Sequence, residues 1–339
     1  LRNIKIPIRS ILIDRSVRLT RPWSTPPLKR VKSFIARSDS NLDQAWNLPV
    51  KQTRARLLIG VHVSIAESIS SAVDRAVERG CGTFQIFTRN PRGWKHKELD
   101  EKDAAMFIKK LAEARIGPVV SHMPYLPNLA SPREDIYRNS VADLIDEVRR
   151  CTALRIPYLV THLGSHLGEG EAVGFQRIIN ALQKALDSMK SNVVITLENT
   201  AGTKNSMGGT FEMIRDILEE IGDKRRLAVC FDTCHAFAAG YDVRTEEALM
   251  KTMDHFDEVI GLNRLRVVHL NDSKGGLNSR LDRHEHIGMG MIGEGGFEVV
   301  IPFFASMSLP QILETPIDER RDDFGNLRKL REIYERSRP

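Results

Sequence analysis

Apolar residues recur along the chain in two alternating textures. Short runs rich in β-branched and aliphatic residues read as strands: LLIGVHV (57–63), TFQIFT (83–88), PVVSH (118–122), PYLVTH (157–162), VVITLE (193–198), LAVCFD (227–232), LRVVHL (265–270) and LPQILE (309–314). Between them lie longer stretches with helical periodicity, such as SISSAVDRAVERG (68–80), KDAAMFIKKLAEARIG (102–117) and GFQRIINALQKALDSMK (174–190). Gly80, Gly117 and Gly222 stand where these helices are expected to stop. Strand starts lie about 25 to 45 residues apart, which suits βα units and a parallel sheet. Eight such units are the count of a (β/α)8 TIM barrel. A doubly wound open sheet has fewer strands as a rule, and no GxGxxG follows the first run. The chain is therefore expected to be α/β, with residues 57–339 forming a (β/α)8 barrel catalytic domain.

Charge changes the picture only once it is divided. The 339 residues carry a net +6, but residues 1–56 hold 13 Lys or Arg against 3 Asp and no Glu, a charge of +10. The remainder has 37 basic and 41 acidic side chains, a charge of −4. Residues 1–56 lack a sustained period and are rich in Arg, Ser and Pro, so they read as a disordered basic N-terminal arm. Three roles suit it: an organellar targeting segment, a tail that holds DNA by counterion release, or an upstream extension without function, which Leu1 in place of Met allows. No apolar run approaches the roughly 18 residues of a membrane span, so no membrane partner is expected. Cys81, Cys151, Cys230 and Cys234 form no CxxC pair and read as reduced thiols of an intracellular protein. That places the chain in the cytoplasm of a prokaryote, or in the nucleus or mitochondria of a eukaryote.

The eight runs share a second feature. Near their C-terminal ends stand His62, Thr88, His122, His162, Glu198, Asp232, His269 and Glu314. A polar or ionisable tip on an apolar strand is what a barrel carries where its active face opens. One His at a strand end is more often a hydrogen-bonded structural residue than a ligand. The joint pattern is different, because imidazoles and carboxylates converging in one mouth are natural ligands of a Zn-class divalent ion. Two motifs extend the set. In FDTCHAFAAGYD, Asp232 and His235 are three apart where a strand turns into a helix, so both can face one cleft; the bland reading is a capping Asp with an incidental His. In SRLDRHEHIG, Asp282 and His284 are two apart and share a side of an extended segment; the bland reading there is a charged surface loop.

Together, GVHVS (60–64), FTRNPRGW (87–94), HMPYLPNLA (122–130), THLGSH (161–166), LENTAG (197–202), CFDTCHAFAAGYD (230–242), HLNDSK (269–274), DRHEHIG (282–288) and ILET (312–315) resemble the endonuclease IV family of base-excision repair. The resemblance runs in order over residues 57–316. It implies a zinc-dependent deoxyribonuclease with three Zn2+ ions at the C-terminal face of the barrel. Such an enzyme hydrolyses the phosphodiester 5′ to an abasic site in duplex DNA, leaving a 3′-hydroxyl and a 5′-deoxyribose phosphate. By motif, His122 and His162 hold the first zinc and share the catalytic bridging carboxylate Glu198 with the second. Asp232, His269 and Glu314 complete the second site, and His235, Asp282 and His284 form the third. Asn90, Arg92 and Trp94 match the loop used near the lesion, with Arg92 resembling a side chain inserted into the duplex, and Tyr125 with Leu126 resembles a wedge. Pro91 stiffens that loop. Met289 stands where a charged or polar residue is expected. A monomer acting on double-stranded DNA is implied.

Two rival readings have discriminating features. A sugar isomerase of the xylose-isomerase type shares the barrel and its metal ligands, but takes one or two Mg2+ or Mn2+ ions with mostly carboxylate ligation. It has no use for a third group of His235, Asp282 and His284. A non-catalytic DNA-binding protein that relies on the basic arm has no use for nine metal ligands, and deleting residues 1–56 would leave incision intact only if the barrel is the enzyme.

Overall fold

Every one of the eight apolar runs becomes a barrel strand. The computed structural model describes residues 57–95 and 97–337; the expected basic arm and its boundary lie outside the described residues. Strands β1 (Ile59–Val61), β2 (Phe84–Ile86), β3 (Val119–His122), β4 (Tyr158–Thr161), β5 (Val194–Glu198), β6 (Leu227–Asp232) and β7 (Leu265–His269) follow in order. A two-stranded hairpin, β8 (Asp272–Ser273) with β9 (His284–Glu285), then intervenes before β10 (Gln311–Leu313). Sequence periodicity did not anticipate this hairpin, because two-residue strands carry no detectable alternation. β1 through β7 and β10 form one parallel sheet in the order β1-β10-β7-β6-β5-β4-β3-β2. The sheet closes at its open edge through a parallel bridge between His62 and Gln85 and a hydrogen bond from Val63 N to Gln85 O of 2.7 Å. This is the expected TIM barrel.

Closure depends on a close backbone approach. A Cβ on Gly60 of β1 would lie 1.7 Å from the Thr83 carbonyl oxygen, so only glycine lets β1 and the approach to β2 come together.

Alternation along each strand sorts the side chains into two cores. Val120, Val160, Cys230, Val267 and Ile312 point inward and fill the barrel below its mouth. Their neighbours Val119, Leu159, Val229, Val268 and Leu313 point outward into the helix layer, against residues such as Phe107, Leu144, Phe211, Phe256 and Phe304. The helices are α1 (Ser71–Glu78), α2 (Glu101–Ala114), α3 (Glu134–Leu154), α4 (Glu171–Ser188), α5 (Phe211–Ile221), α6 (Thr233–Ala239), α7 (Glu246–Val259), α8 (Gly293–Ser306) and α9 (Asp323–Arg336). Gly80 and Gly222 take the left-handed turn after α1 and α5, as expected. Gly117 does not stop α2: Arg115 makes the left-handed turn itself, with φ of 54°, two residues earlier. The four cysteines are buried and unbridged. Among the described residues no helix is long and apolar enough to cross a membrane.

Candidate metal centre

Strand parity decides which tips meet. His122, Glu198, Asp232 and His269 are the last residues of β3, β5, β6 and β7, and His162 and Glu314 directly follow β4 and β10. All six have the inward parity of the Val120–Ile312 core, one layer higher. Asp232 also caps α6, its Oδ1 accepting from His235 N at 2.7 Å. Capping and convergence are thus one arrangement, because the cap turns the His235 ring toward the mouth. The β8–β9 hairpin folds back over the same opening and brings Asp282 and His284. The nine residues take part in three groups whose ligand atoms lie within 4.8 Å of one another, His122, His162 and Glu198; Glu198, Asp232, His269 and Glu314; and His235, Asp282 and His284; a fourth such group sets Asp232 and His284 beside Cys234.

Glu198 lies at the junction and is fully buried. Its Oε2 is 3.2 Å from His122 Nε2 and 3.3 Å from His162 Nε2. Its Oε1 is 3.0 Å from His269 Nδ1 and 3.3 Å from His235 Nδ1. His269 Nδ1 is also 3.1 Å from Glu314 Oε2. His235 Nε2 lies 3.2 Å from Asp282 Oδ1, and His284 Nε2 lies 3.8 Å from Asp232 Oδ2. One carboxylate with its two oxygens in two different groups is built to bridge.

The electrostatics match a cation site. Burial pushes the Glu198 carboxyl up, but His162, His269, His122 and His235 outweigh it and hold its pKa well below the ordinary range. The Glu314 carboxyl likewise resists burial through His269 and His62 and falls well below its usual value. Asp282 is opposed by burial and drawn down to about 2 by His235 and His284. In return, burial is overcome at His122, His235 and His269, whose pKa values rise on the neighbouring carboxylates and, for His269, on Cys230 as well. Carboxylates this close inside a protein require positive charge between them. The donor set fits a metal directly: His284 Nε2 is buried with no hydrogen-bond partner, while its Nδ1 is 3.1 Å from the Glu314 carbonyl oxygen. A ring held by one nitrogen with the other left bare is the form in which histidine ligates.

Several polar residues that sequence reasoning passed over complete the shell. Asn199 holds the β6 end, donating to Asp232 O at 3.1 Å and accepting from Asp232 N at 2.8 Å. Asn271 donates to Asp232 Oδ2 at 2.6 Å and accepts from Glu314 N at 2.8 Å. Gln85, inside β2, reaches both Glu314 and His269. The available signal was an amide one or two residues after a candidate ligand in LENTAG and HLNDSK, and a lone Gln at inward parity in TFQIFT. Two expected tips stay out of the ligand groups. Thr88 has outward parity and turns to α3, so the mouth residue of that strand is Phe87. His62 faces the mouth but packs on Phe87, ring centroids 4.2 Å apart.

The expected DNA-contact residues sit on two neighbouring loops of the same face. Asn90 and Arg92 are exposed, with Asn90 Oδ1 accepting from Arg92 N at 3.1 Å, and Trp94 is half-buried. Tyr125 is 68% exposed and Leu126 39%, values that leave both rings and branches free to meet a ligand. The loops are joined by a bond from Tyr125 N to Pro91 O of 3.2 Å. Beneath them, Arg89 pairs with Glu147 and Asp143 on α3, and Arg150 donates to the Thr88 and Lys97 carbonyls. One buried helix face thus clamps both ends of the loop. On the far side of the mouth, Asp272 accepts from the amides of Gly288, Gly290, Ile292 and Gly293, which leaves Met289 exposed on a tightly held turn.

Comparison with known proteins agrees with this geometry. A family model described as a xylose isomerase-like TIM barrel matches residues 73–332. The chain is 56% identical over 278 residues to a probable endonuclease 4 of Methanoculleus marisnigri, covering 82% of this chain and 99% of the relative. It is 52% identical over 277 residues to a probable endonuclease 4 of Nitrosopumilus maritimus, covering 81% and 99%. Among solved structures, the crystal structure of endonuclease IV from Thermus thermophilus superposes with a TM-score of 0.73 at 36% identity, covering 82% of this chain and 99% of that one. A D-tagatose 3-epimerase-like protein shares the fold alone, with a TM-score of 0.62 at 20% identity, covering 82% and 96%.

Proposed function

The chain belongs to the endonuclease IV family, and on that premise we propose that it incises duplex DNA at abasic sites with three Zn2+ ions held by nine side chains. The bond broken is the phosphodiester 5′ to the lesion, and the products are a 3′-hydroxyl and a 5′-deoxyribose phosphate. The observation that supports the reading is that nine side chains gather in three groups, two of which share Glu198.

A phosphodiester is an anion that repels hydroxide, so hydrolysis needs charge neutralisation and a nucleophile available at neutral pH. Zinc supplies both when bound, as a Lewis acid and as a means of lowering the pKa of water toward ~7. His122, His162 and Glu198 would hold the first ion. Glu198, Asp232, His269 and Glu314 would hold the second, and His235, Asp282 and His284 the third. Glu198 would serve both the first and the second ion, while Asn199 and Asn271 fix the Asp232 carboxylate and the backbone around it. This also accounts for a barrel of net negative charge acting on a polyanion, since the positive face toward phosphate comes from the ligated ions. Asn90, Arg92, Tyr125 and Leu126 engage the lesion from the side of the mouth. An abasic nucleotide has no base to unstack, so extruding it costs less than flipping an intact one. The exposed Tyr125 ring and Leu126 side chain are shaped to fill the space it leaves.

The isomerase alternative shares the barrel but has no role for the His235–Asp282–His284 group. Elemental analysis of protein purified without chelator is expected to give close to three zinc ions per chain. One ion per chain, or activity restored by Mg2+ after EDTA, would favour the isomerase chemistry. Glu198→Gln should fold yet lose most incision of an abasic duplex, because a neutral amide cannot hold two cations together; near-normal cleavage would refute the bridging role.

A further inference from the structure

Histidine ligands are set by whatever holds the ring nitrogen that does not face the metal. In His122, His235 and His284 that partner is main chain: Nδ1 lies 2.6 Å from Met123 O, 3.0 Å from Asn199 O and 3.1 Å from Glu314 O. His269 is oriented the other way round. Its Nδ1 faces Glu198 and Glu314, and its Nε2 lies 2.9 Å from Gln85 Oε1, a side-chain atom.

The Gln85 amide is locked by its own partners. It is fully buried, one layer below the ligands. Its Nε2 lies 2.7 Å from Glu314 Oε1 and 3.0 Å from His62 Nδ1. A carboxylate only accepts, so the NH2 end must face Glu314 and the carbonyl end must face His269; the flipped amide would set oxygen against oxygen. His269 must then carry its proton on Nε2, which leaves the Nδ1 lone pair for a cation. The same amide donates to Glu314 Oε1 and leaves Oε2 facing His269. The position that makes this possible is the single parallel bridge between His62 and Gln85 that closes the barrel.

We propose that Gln85 is a positioning residue for the second metal group: it fixes the tautomer of His269 and aims Glu314. The inference rests on the zinc reading above. A side-chain partner, unlike a carbonyl, is open to substitution, so residue 85 tunes one ion of the three.

The test uses the full chain loaded with zinc, and the same protein loaded with Co2+. Gln85→Met matches the length and shape of the side chain and removes its hydrogen bonds to His269, Glu314 and His62. Gln85→Glu keeps an acceptor for His269 Nε2 and loses the donor to Glu314. Chelator competition on Gln85→Met is expected to show one zinc weakened by about 10- to 100-fold with two unchanged. Its Co2+ absorption bands should shift, a readout that a purely structural packing role would leave alone. Gln85→Glu should fall between Gln85→Met and wild type. If Gln85→Met is insoluble, Gln85→Glu must still show one weakened ion. A soluble variant with three ions of wild-type affinity and unaltered Co2+ bands overturns the positioning role. A wild type that holds fewer than three zinc ions overturns the metal reading instead, so the two failures are distinguishable.

Discussion

Removing the Glu147 carboxylate should loosen the lesion loop without touching the metals. Glu147 is fully buried on α3, where its Oε1 accepts from Arg89 Nε at 2.8 Å and its Oε2 accepts from Thr88 Oγ1 at 2.7 Å. Thr88 and Arg89 begin the loop that carries Asn90, Arg92 and Trp94. Glu147→Leu takes the acceptor from Thr88 and one of two carboxylates from a buried guanidinium. Breaking a buried pair from one side costs about 3–5 kcal/mol. Asp143 still pairs with Arg89, its Oδ2 2.5 Å from the guanidinium, so about 2–4 kcal/mol is the expected loss. For a domain of this size that lowers the unfolding midpoint by roughly 3–7 °C. Thermal unfolding of zinc-loaded protein reads the stability, and equilibrium binding to abasic and intact duplexes reads the loop. Discrimination between the duplexes should fall while zinc content stays the same. Glu147→Gln separates the charge of this side chain from its shape. Burial holds the Glu147 carboxyl above its ordinary pKa, against the pull of Thr88 and Arg89. The native state therefore binds this proton more tightly than the unfolded chain, and ionising Glu147 subtracts stability as pH rises through the folded pKa. The Gln variant does not titrate, so it should gain on wild type as pH rises above the ordinary glutamate range. A Leu variant that melts within about 2 °C of wild type, with unchanged discrimination, would refute the clamp.

Tyr125→Ala, at a position 68% exposed, should shift stability by no more than about 0.5 kcal/mol and reduce discrimination between duplexes, whereas His284→Ala should lose one zinc and slow single-turnover incision with binding partly kept. If His284→Ala lost only affinity and kept its rate at saturating protein, the catalytic role of the third group would be wrong. Gly60→Ala should fail to give a stable barrel, because its Cβ would lie 1.7 Å from Thr83 O; a soluble variant within about 1 kcal/mol of wild type in a denaturant titration would contradict the closure argument. Asp272→Ala strands the amides of Gly288, Gly290 and Ile292, bonded at 2.9, 2.9 and 3.0 Å, and should cost about 3–5 kcal/mol. Limited proteolysis should then cut within residues 288–293, and resistance equal to wild type would refute the tether.

The barrel was legible in the chain, because strand and helix periods are local and eight apolar runs spaced by helices leave few other ways to bury them. The sequence also marked the candidate ligands, since an ionisable residue at a strand end is visible in any single run. Parity lay beyond its reach. A register error of one residue moves a side chain to the other face, which is why Thr88 looked like a mouth residue and Phe87 and Gln85 did not. The tertiary structure alone brought His62 and Gln85 together, because the barrel pattern pairs β1 with β2 but does not set the register at which they meet. It alone decided which ring nitrogen of His122, His269 and His284 faces the carboxylates, since the other nitrogen meets a carbonyl or an amide supplied from elsewhere in the fold. Arg89 and Glu147 are 58 residues apart and meet only once β2 and α3 pack. Local pattern depends on neighbours in the chain, whereas tautomer, pairing and pKa depend on neighbours in space, and the barrel is what turns one into the other.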